Sequence, residues 1–282
     1  TERTQGDDQP KKNLMATHED GTSILEKKSP EPEVEPAKTI RVDACGLSCP
    51  GPLLKTREAM DQVNPGDILS VRASDPGYFE DVKAWARRTG NEVVHLTKER
   101  GFVEAKIKKA DLACAVPTDT AVNACEPKNK TMVVFSGELD KAIASFIIAN
   151  GASAMGGKVT MFFTFWGLNI LRKSVAPEVK KTPLEKMFGM MMPKGTRKLG
   201  LSKMNMAGMG PKMIRKVMDD NNVDSLESLM ETAVRNGVEL VACQMSMDLL
   251  GIKLEELVDG VKVGGVGYYL GEAEESAINL FI

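Results

Sequence analysis

Hydrophobic and polar positions between residues 39 and 110 repeat with two different periods, which predicts both strands and helices there. The segments "TIRVDA", "ILSVRAS" and "NEVVHLTKERGFVEAKIKK" have the character of strands, and the last is long enough for two. Residues expected to be buried recur after the first strand at spacings of three and four, as in a helix: Leu53, Thr56, Met60 and Val63. "GYFEDVKAWARRTG" predicts a second helix. The order β-α-β-α-β-β predicts a two-layer sandwich with both helices on one sheet face.

Residues 130–282 follow a different pattern, in which short apolar strands alternate with helices. We predict strands in "TMVVFSG", "KVTMFFTFWG", "VELVACQMS" and "VKVGGVGY". We predict helices in "ELDKAIASFIIANGASAMGG", near 211–220 and 224–236, as a short pair after the third strand, and in the final "EAEESAINLFI". Nearly all-apolar strands are typical of a parallel sheet covered on both faces, so this part is predicted to be an α/β domain with helices on both sides.

The remaining segments have the composition of connections. Residues 1–38 contain "SPEPEVEPAK" and few large apolar residues, so we expect a disordered tail or linker; a remnant of a preceding domain is the alternative. Residues 111–129 show no sustained period and contain prolines, which predicts an interdomain linker.

Residues 142–171 contain a single charged side chain, Lys158, so a membrane span has to be considered. Gly151, Gly156 and Gly157 interrupt this stretch, and neither half reaches the roughly 20 apolar residues that a span needs. We therefore predict a helix followed by a buried strand, and no transmembrane span.

Composition narrows the class of protein. The formal net charge of -2 argues against a nucleic-acid binder, and from the polar start we expect no secretory signal. Five cysteines in 282 residues are a sparse, odd set, so we expect a reducing, cytoplasmic setting. Two cysteines and His95 do not form a zinc set, and "GGVGYYLG" lacks the spacing of a nucleotide loop. We therefore expect no metal and no cofactor.

The segment "DACGLSCPGPLLK" places a thiol, that of Cys49, where a helix begins. Pro50 fits the first helical position, and Pro52 removes an amide that has no partner within the helix. The remaining amides of the first turn are expected to point toward the sulfur at the positive end of the helix dipole: those of Gly51, Leu53 and Leu54.

Two cations, Lys55 and Arg57, follow where acidic residues would be usual, and we expect them to lean back toward Cys49. A helix N-terminus and nearby cations lower the pKa of a cysteine and favour its reactive thiolate. The alternative is that Cys49 is merely a small residue at a helix start.

This segment resembles the signature of the TusA family of sulfur carriers, in which Cys-Pro-x-Pro begins the first helix. The matching residues are Asp43, Gly46, Cys49, Pro50 and Pro52. The predicted strand order agrees with that family's fold. The resemblance implies that Cys49 accepts sulfur as a persulfide and passes it to a partner protein. Cys45 lies outside the motif, and it either resolves an oxidised Cys49 or is a small residue at a strand end.

A second thiol, Cys243 in "VELVACQMSMDLLG", ends a predicted strand just before a helix. Ligands gather at that edge of a parallel sheet, although free cysteines are often simply buried. Residues 130–282 resemble the DsrE/DsrF-like family, flavodoxin-like α/β/α proteins of sulfur relays. That resemblance implies that Cys243 is a second sulfur-bearing residue and that this domain forms homo-oligomers. Because TusA-like and DsrE-like proteins are partners in sulfur transfer, the fusion of the two domains in one chain is consistent with that function.

The segment from Met187 to Met209 contains seven of the 17 methionines beside a group of cations: Lys194, Arg197, Lys198 and Lys203. It could cover Cys243, bind a small sulfur anion such as thiosulfate, or contact a neighbouring subunit. The alternative is that the methionines simply fill the hydrophobic core and that the cations lie in a solvent-exposed loop. Cys114 and Cys125, in the predicted linker, are expected to be incidental.

These patterns predict a sulfur relay protein, a sulfurtransferase or persulfide carrier that moves sulfane sulfur between Cys49, Cys243 and partners such as rhodanese-like proteins. One alternative is a thiol–disulfide or peroxide-linked reductase that uses Cys45 and Cys49. A further alternative is that the chain is the C-terminal part of a larger flavin-dependent disulfide reductase–rhodanese fusion. A third alternative is a noncatalytic adaptor whose first domain is an RNA-binding or regulatory sandwich. The net negative charge and the absence of an aromatic-basic stripe in the sequence disfavour it.

Overall fold

A computed structural model describes residues 38–110, 128–175 and 177–282. Nearly all of the predicted tail at 1–38 lies outside the described residues, and so does most of the predicted linker at 111–129. Cys114 and Cys125 fall in the second of these stretches.

The N-terminal domain has the predicted β-α-β-α-β-β order. Its elements are β1 Thr39–Ala44, α1 Gly51–Asp61, β2 Ile68–Ala73, α2 Tyr78–Thr89, β3 Glu92–Glu99 and β4 Phe102–Lys108. The sheet order is β1-β2-β4-β3, with β1 parallel to β2 and the other pairs antiparallel. Leu53 and Met60 of α1 and Trp85 of α2 share one buried core with Leu69 and Val71 of β2, so both helices cover the same face.

The C-terminal domain is built on a five-stranded parallel sheet in the order β8-β7-β6-β5-β9. Its elements are β5 Asn129–Val134, α3 Leu139–Ala154, β6 Val159–Phe163, α4 Pro183–Met191, α5 Met209–Asp220, α6 Leu226–Arg235, β7 Glu239–Cys243, α7 Gln244–Leu250, β8 Lys262–Gly264, α8 Val266–Glu274 and β9 Ser276–Phe281. The predicted helix and buried strand within residues 142–171 are α3 and β6. None of the helices in the described residues combines the length and the apolarity needed to cross a membrane.

The prediction for the end of the chain was wrong in one respect. "EAEESAINLFI" was predicted to be a helix, whereas its second half is β9, which pairs in parallel with β5. This strand completes the sheet at its edge, and Leu280 packs against the main core. Pairing with β5 therefore overrides the local sequence pattern, as long-range contacts often do for strands. The "GGVGYYLG" segment is a strand-to-helix turn, since Gly265 caps the start of α8.

Adjacent residues of the central strands face opposite sides of the sheet, as the strand repeat requires. Met161 and Phe163 of β6 point into the main core, which they share with Phe146 of α3. Phe162 points to the other side and packs against Tyr269 of α8, with ring centroids 5.3 Å apart. The α3 side and the α8 side of the sheet are therefore distinct surroundings.

Candidate functional site

Cys49 lies directly before α1 and is exposed to solvent as a free thiol. The helix begins at Gly51, one residue later than predicted, because Pro50 is the capping residue rather than the first helical one. Pro52 falls in the first turn, where its missing amide costs no hydrogen bond.

The backbone amides of the first turn of α1 do not donate hydrogen bonds to the Cys49 sulfur, contrary to the prediction. The Gly51 amide donates to the carbonyl oxygen of Ser48 at 2.8 Å. The amides of Leu53 and Leu54 both donate to the carbonyl oxygen of Pro50, at 3.1 Å each. Since these donors are used by the backbone, the expectation that they stabilise a thiolate on Cys49 was wrong.

The two predicted cations also act elsewhere. The ammonium group of Lys55 donates to the carbonyl oxygen of Asp43. The Arg57 guanidinium donates to the carbonyl oxygen and hydroxyl of Ser153, at 3.0 and 3.2 Å. Both side chains therefore fix backbone segments rather than approach the sulfur of Cys49.

The surroundings of Cys49 favour the neutral thiol. Desolvation is the largest effect that raises the pKa of Cys49, and the carboxylates of Asp81 and Asp75 raise it further. The prediction of a depressed pKa was therefore wrong for this arrangement of the chain. Asp81 had no distinguishing signal in the sequence, because acidic residues are ordinary in the first turn of a helix such as α2.

The residues before Cys49 shape its loop. The carboxylate of Asp43 accepts the Cys45 amide at 2.9 Å, and this hydrogen bond lowers the pKa of Asp43. Gly46 has a φ of 81°, which favours glycine, and its amide donates to the Ser74 hydroxyl at 2.8 Å. Cys45 is an exposed free thiol whose pKa is raised, mainly by its hydrogen bond to Asp43.

The face of the N-terminal domain that carries Cys49 packs against the C-terminal domain. The Trp85 indole donates to the carbonyl oxygen of Ala154 at 2.9 Å, and the Ser48 hydroxyl donates to that of Asn221 at 2.9 Å. With Arg57 and Ser153, these residues form what we call the interdomain contact. Ala154 is itself part of the N-terminal core cluster, so the two domains share buried surface.

A cavity of about 300 Å³ lies between the domains, with Cys49 in its wall. Its lining is largely apolar and comes from α1, α3 and the sheet, including Leu53, Met132, Ile148, Val159 and Leu280. Asp81 and Lys130 are its charged members. The ammonium group of Lys130 donates to the carbonyl oxygens of Ala152, at 3.1 Å, and Gly156. Cys49 thus faces an apolar chamber as well as solvent.

We expect Asp81→Asn to lower the pKa of Cys49, because it removes the larger of the two carboxylate contributions to the raised pKa. The thiolate fraction at pH 8 would rise, and alkylation by iodoacetamide would become several times faster. Rates measured from pH 6 to pH 10 would show the profile shifted to lower pH. Asp61→Asn, a change outside the groups that act on Cys49, is the matched control; an unshifted profile for Asp81→Asn would refute this assignment.

Cys243 is the last residue of β7 and directly precedes α7, as the sequence predicts. It is buried, with Phe162 and Val241 around it and Tyr269 of α8 packed against them. Cys243 therefore faces the α8 side of the sheet. The residues of α8 are themselves partly or fully exposed, so this cover is thin.

We expect Tyr269→Ala to uncover Cys243, because the Tyr269 ring packs on the cluster that encloses the sulfur. Alkylation of Cys243 in the folded protein should become at least several times faster. Leu270→Ala, on the same helix at an exposed position, serves as the control and should leave the rate unchanged. Equal acceleration by both variants would mean that α8 is loosened as a whole.

The two thiols lie near opposite ends of the strands of the parallel sheet: Cys49 near the start of β5, and Cys243 at the end of β7. The cavity beside Cys49 includes Lys130 at the start of β5, and β5, β6 and β7 start level with one another. Cys243 is at the far end of β7, four residues beyond Glu239, or about 13 Å along the strand. Cys49 packs toward α3, whereas Cys243 faces α8. The interdomain contact therefore does not bring the two predicted site residues together.

A Cys-Pro-x-Pro thiol on a β-α-β-α-β-β sandwich, followed by a parallel α/β domain with a cysteine at a strand end, defines a class of sulfur-carrier proteins. The family model described as Sulfurtransferase TusA matches residues 40–109, and that of the DsrE/DsrF/DrsH-like family matches residues 126–281. The chain belongs to the DsrE/DsrF/DrsH-like family and carries a TusA domain ahead of it.

Individual relatives agree with both assignments. The chain is 57% identical over 157 residues to the protein YrkE of Bacillus subtilis. This match covers 56% of this chain and 98% of YrkE. It is 38% identical over 161 residues to the sulfur carrier protein DsrE2 of Allochromatium vinosum, covering 56% of this chain and 99% of DsrE2. The sulfur carrier protein TusA of the same organism is 39% identical over 69 residues, 24% of this chain and 91% of that protein. The reductase alternative gains no support from these matches.

Proposed function

We propose that this protein carries sulfane sulfur as a persulfide on Cys49 and exchanges it with Cys243 and with partner proteins. The observation that carries the proposal is the exposed free thiol of Cys49 at the start of α1, in the wall of an interdomain cavity. Membership of sulfur-carrier families supports it.

The transfer step needs no oxidant. A thiolate on Cys49 attacks the outer sulfur of a donor persulfide, the donor's S–S bond breaks, and a new S–S bond forms on Cys49. The donor leaves as a thiolate, and the outer sulfur keeps its proton and its oxidation state. The same step, with Cys49 as the donor, unloads the carrier onto an acceptor thiolate.

The interdomain contact restrains this chemistry. Desolvation is the largest cause of the raised pKa of Cys49, and packing against the C-terminal domain contributes to it. Asp81 and Asp75 belong to the same domain as Cys49, so their charges act in either arrangement. The apolar lining, with Leu53 and Ile148 among its members, would also keep water and polar thiols away from an outer sulfur in the cavity. We infer that Cys49, although exposed, reacts faster once the N-terminal domain leaves the contact.

Exchange between Cys49 and Cys243 requires such a departure, or a second chain, because the sheet separates the two sulfurs. The chain between Ala110 and Lys128 is long enough for a large displacement, at about 3.3–3.6 Å per extended residue. Movement of Tyr269 and its helix is also needed to expose Cys243.

Partner proteins follow from the same proposal. Donors and acceptors would be sulfur relay proteins, rhodanese-like proteins among them, or small sulfur anions. Self-association through the DsrE-like domain is supported by exposed apolar side chains on α8 and β9, which include Val266, Leu270 and Phe281.

Incubation with a persulfide donor followed by intact-mass measurement tests the proposal. The protein should gain the mass of at least one sulfur atom, and a reductant should remove it. A chain that gains no sulfur from a protein persulfide, from polysulfide or from thiosulfate with a rhodanese would not be a carrier.

A further inference from the structure

A second cavity, of about 720 Å³, lies between the end of α4 and the start of α5, well apart in sequence from both thiols. Its wall contains five cationic side chains and no acidic one: Lys194, Arg197, Lys198, Lys212 and Arg215. Three consecutive methionines, 190–192, form part of the apolar lining. We call this concavity the basic cavity.

Most of these cations lack a counter-charge. Arg215 is paired with Glu227 at 3.1 Å and also donates to the carbonyl oxygen of Thr196 at 2.8 Å. The other four have no carboxylate within 4.0 Å among the described residues. Like charges gathered in one concavity repel each other, so their placement favours an anion there.

The first turn of α5 adds to the positive potential. This helix is 12 residues long and begins after Gly208, with no side-chain cap and no acidic residue in its first turn. Gly208, Pro211 and Lys212 all border the basic cavity. The positive end of the helix dipole therefore lies at the same wall as the unpaired cations.

An adjoining concavity of about 330 Å³ shares Lys194 and Met190 with the basic cavity, and two carboxylates, those of Glu178 and Glu256, also line it. Arg172 lines it and is only 2% exposed, yet its Nε and Nη2 groups have no hydrogen-bond partner in the described residues. The Glu256 carboxylate is 3.8 Å from Nη2 and is held by Lys181 at 2.6 Å. A buried guanidinium with unsatisfied donors is rare and points to a missing acceptor.

We propose that the basic cavity binds a multivalent oxyanion. The shared chemistry is two or more negative oxygens, which a small sulfur oxyanion or a phosphate compound both supply. The rim provides positive charge from three exposed side chains: Arg197, Lys198 and Lys212. The positive end of the α5 dipole would orient the bound anion. This site is independent of sulfur loading on Cys49.

Isothermal titration calorimetry of the full chain with thiosulfate, inorganic phosphate and pyrophosphate tests the proposal, with chloride as the background anion. We expect saturable binding that weakens as ionic strength rises. Lys212→Gln should weaken it about fivefold to tenfold, and a triple variant of Lys194, Arg197 and Lys212 to Gln should abolish it. The matched control is Lys216→Gln, one turn further along α5 and outside the cavity lining, which should bind as the unchanged chain does.

The three probes distinguish the sources of the anion. Preference for thiosulfate identifies a small sulfur oxyanion, and preference for phosphate or pyrophosphate identifies a phosphate compound; either result supports the site. Absence of saturable binding by all three overturns the proposal. Equal weakening by Lys212→Gln and Lys216→Gln also overturns it, because the effect would then come from diffuse surface charge. Thermal unfolding of each variant confirms that it is folded.

Discussion

We expect Cys49→Ser to reduce sulfur transfer from a donor to an acceptor protein to background, a loss of at least about a hundredfold. A hydroxyl at this position cannot form a persulfide, and removal of a covalent carrier cannot be compensated by the rest of the site. The assay loads the protein with a persulfide donor and measures the sulfur passed to an acceptor.

Cys45→Ser is the matched control for that loss, because Cys45 is an exposed free thiol in the same loop. The carrier mechanism requires Cys45→Ser to retain transfer. Equal loss in both variants, together with a reversible disulfide between the two residues, would instead establish the reductase alternative.

We expect Arg57→Ala to accelerate exchange between Cys49 and Cys243 by about tenfold. The change removes two hydrogen bonds from the Arg57 guanidinium to Ser153 across the interdomain contact. Bonds of this kind contribute about 1.5 kcal/mol or more, which corresponds to about a tenfold increase in the ratio of separated to packed molecules. The rate is read from the movement of sulfur between the two cysteine-containing peptides.

Arg87→Ala, an exposed arginine on α2, should leave the exchange rate unchanged. Slower exchange in Arg57→Ala would mean that the packed arrangement is the productive one. A mixture of loaded Cys243→Ser chains with unloaded Cys49→Ser chains then shows whether exchange also occurs between chains. Such exchange should depend on the concentration of the acceptor chain.

Most of the fold could be predicted because its strands and helices have strong local patterns. The β-α-β-α-β-β order followed from strand alternation and from the spacing of Leu53, Thr56, Met60 and Val63, all of which are buried. β9 could not be predicted in this way. Its short "SAINLF" segment continues a helical pattern, and only pairing with the distant β5 makes it a strand.

The candidate site was predicted in part. The positions of Cys49 before a helix and Cys243 at a strand end depend on local sequence, and both were confirmed. The surroundings of Cys49 were not, because they depend on tertiary structure. Lys55 donates to the carbonyl oxygen of Asp43, and the charge of Asp81, on another helix, raises the pKa of the thiol. No spacing within the "CPGP" segment encodes either arrangement.

The interdomain contact could not be predicted from local sequence patterns either. Arg57 was predicted to serve the thiol on the basis of its position in α1, whereas its partner, Ser153, is 96 residues away. Trp85 has the pattern of an ordinary core residue, and most of its side chain is one, but its indole N–H binds Ala154 of the other domain.

Peptide mapping of the sulfur-loaded chain, with no residue substituted, shows whether Cys49 is the carrier. The protein is incubated with a persulfide donor, its thiols are alkylated, and each cysteine-containing peptide is weighed. We expect additional sulfur on the peptide that contains Cys49. Sulfur found on other cysteines while the Cys49 peptide stays unmodified would contradict it.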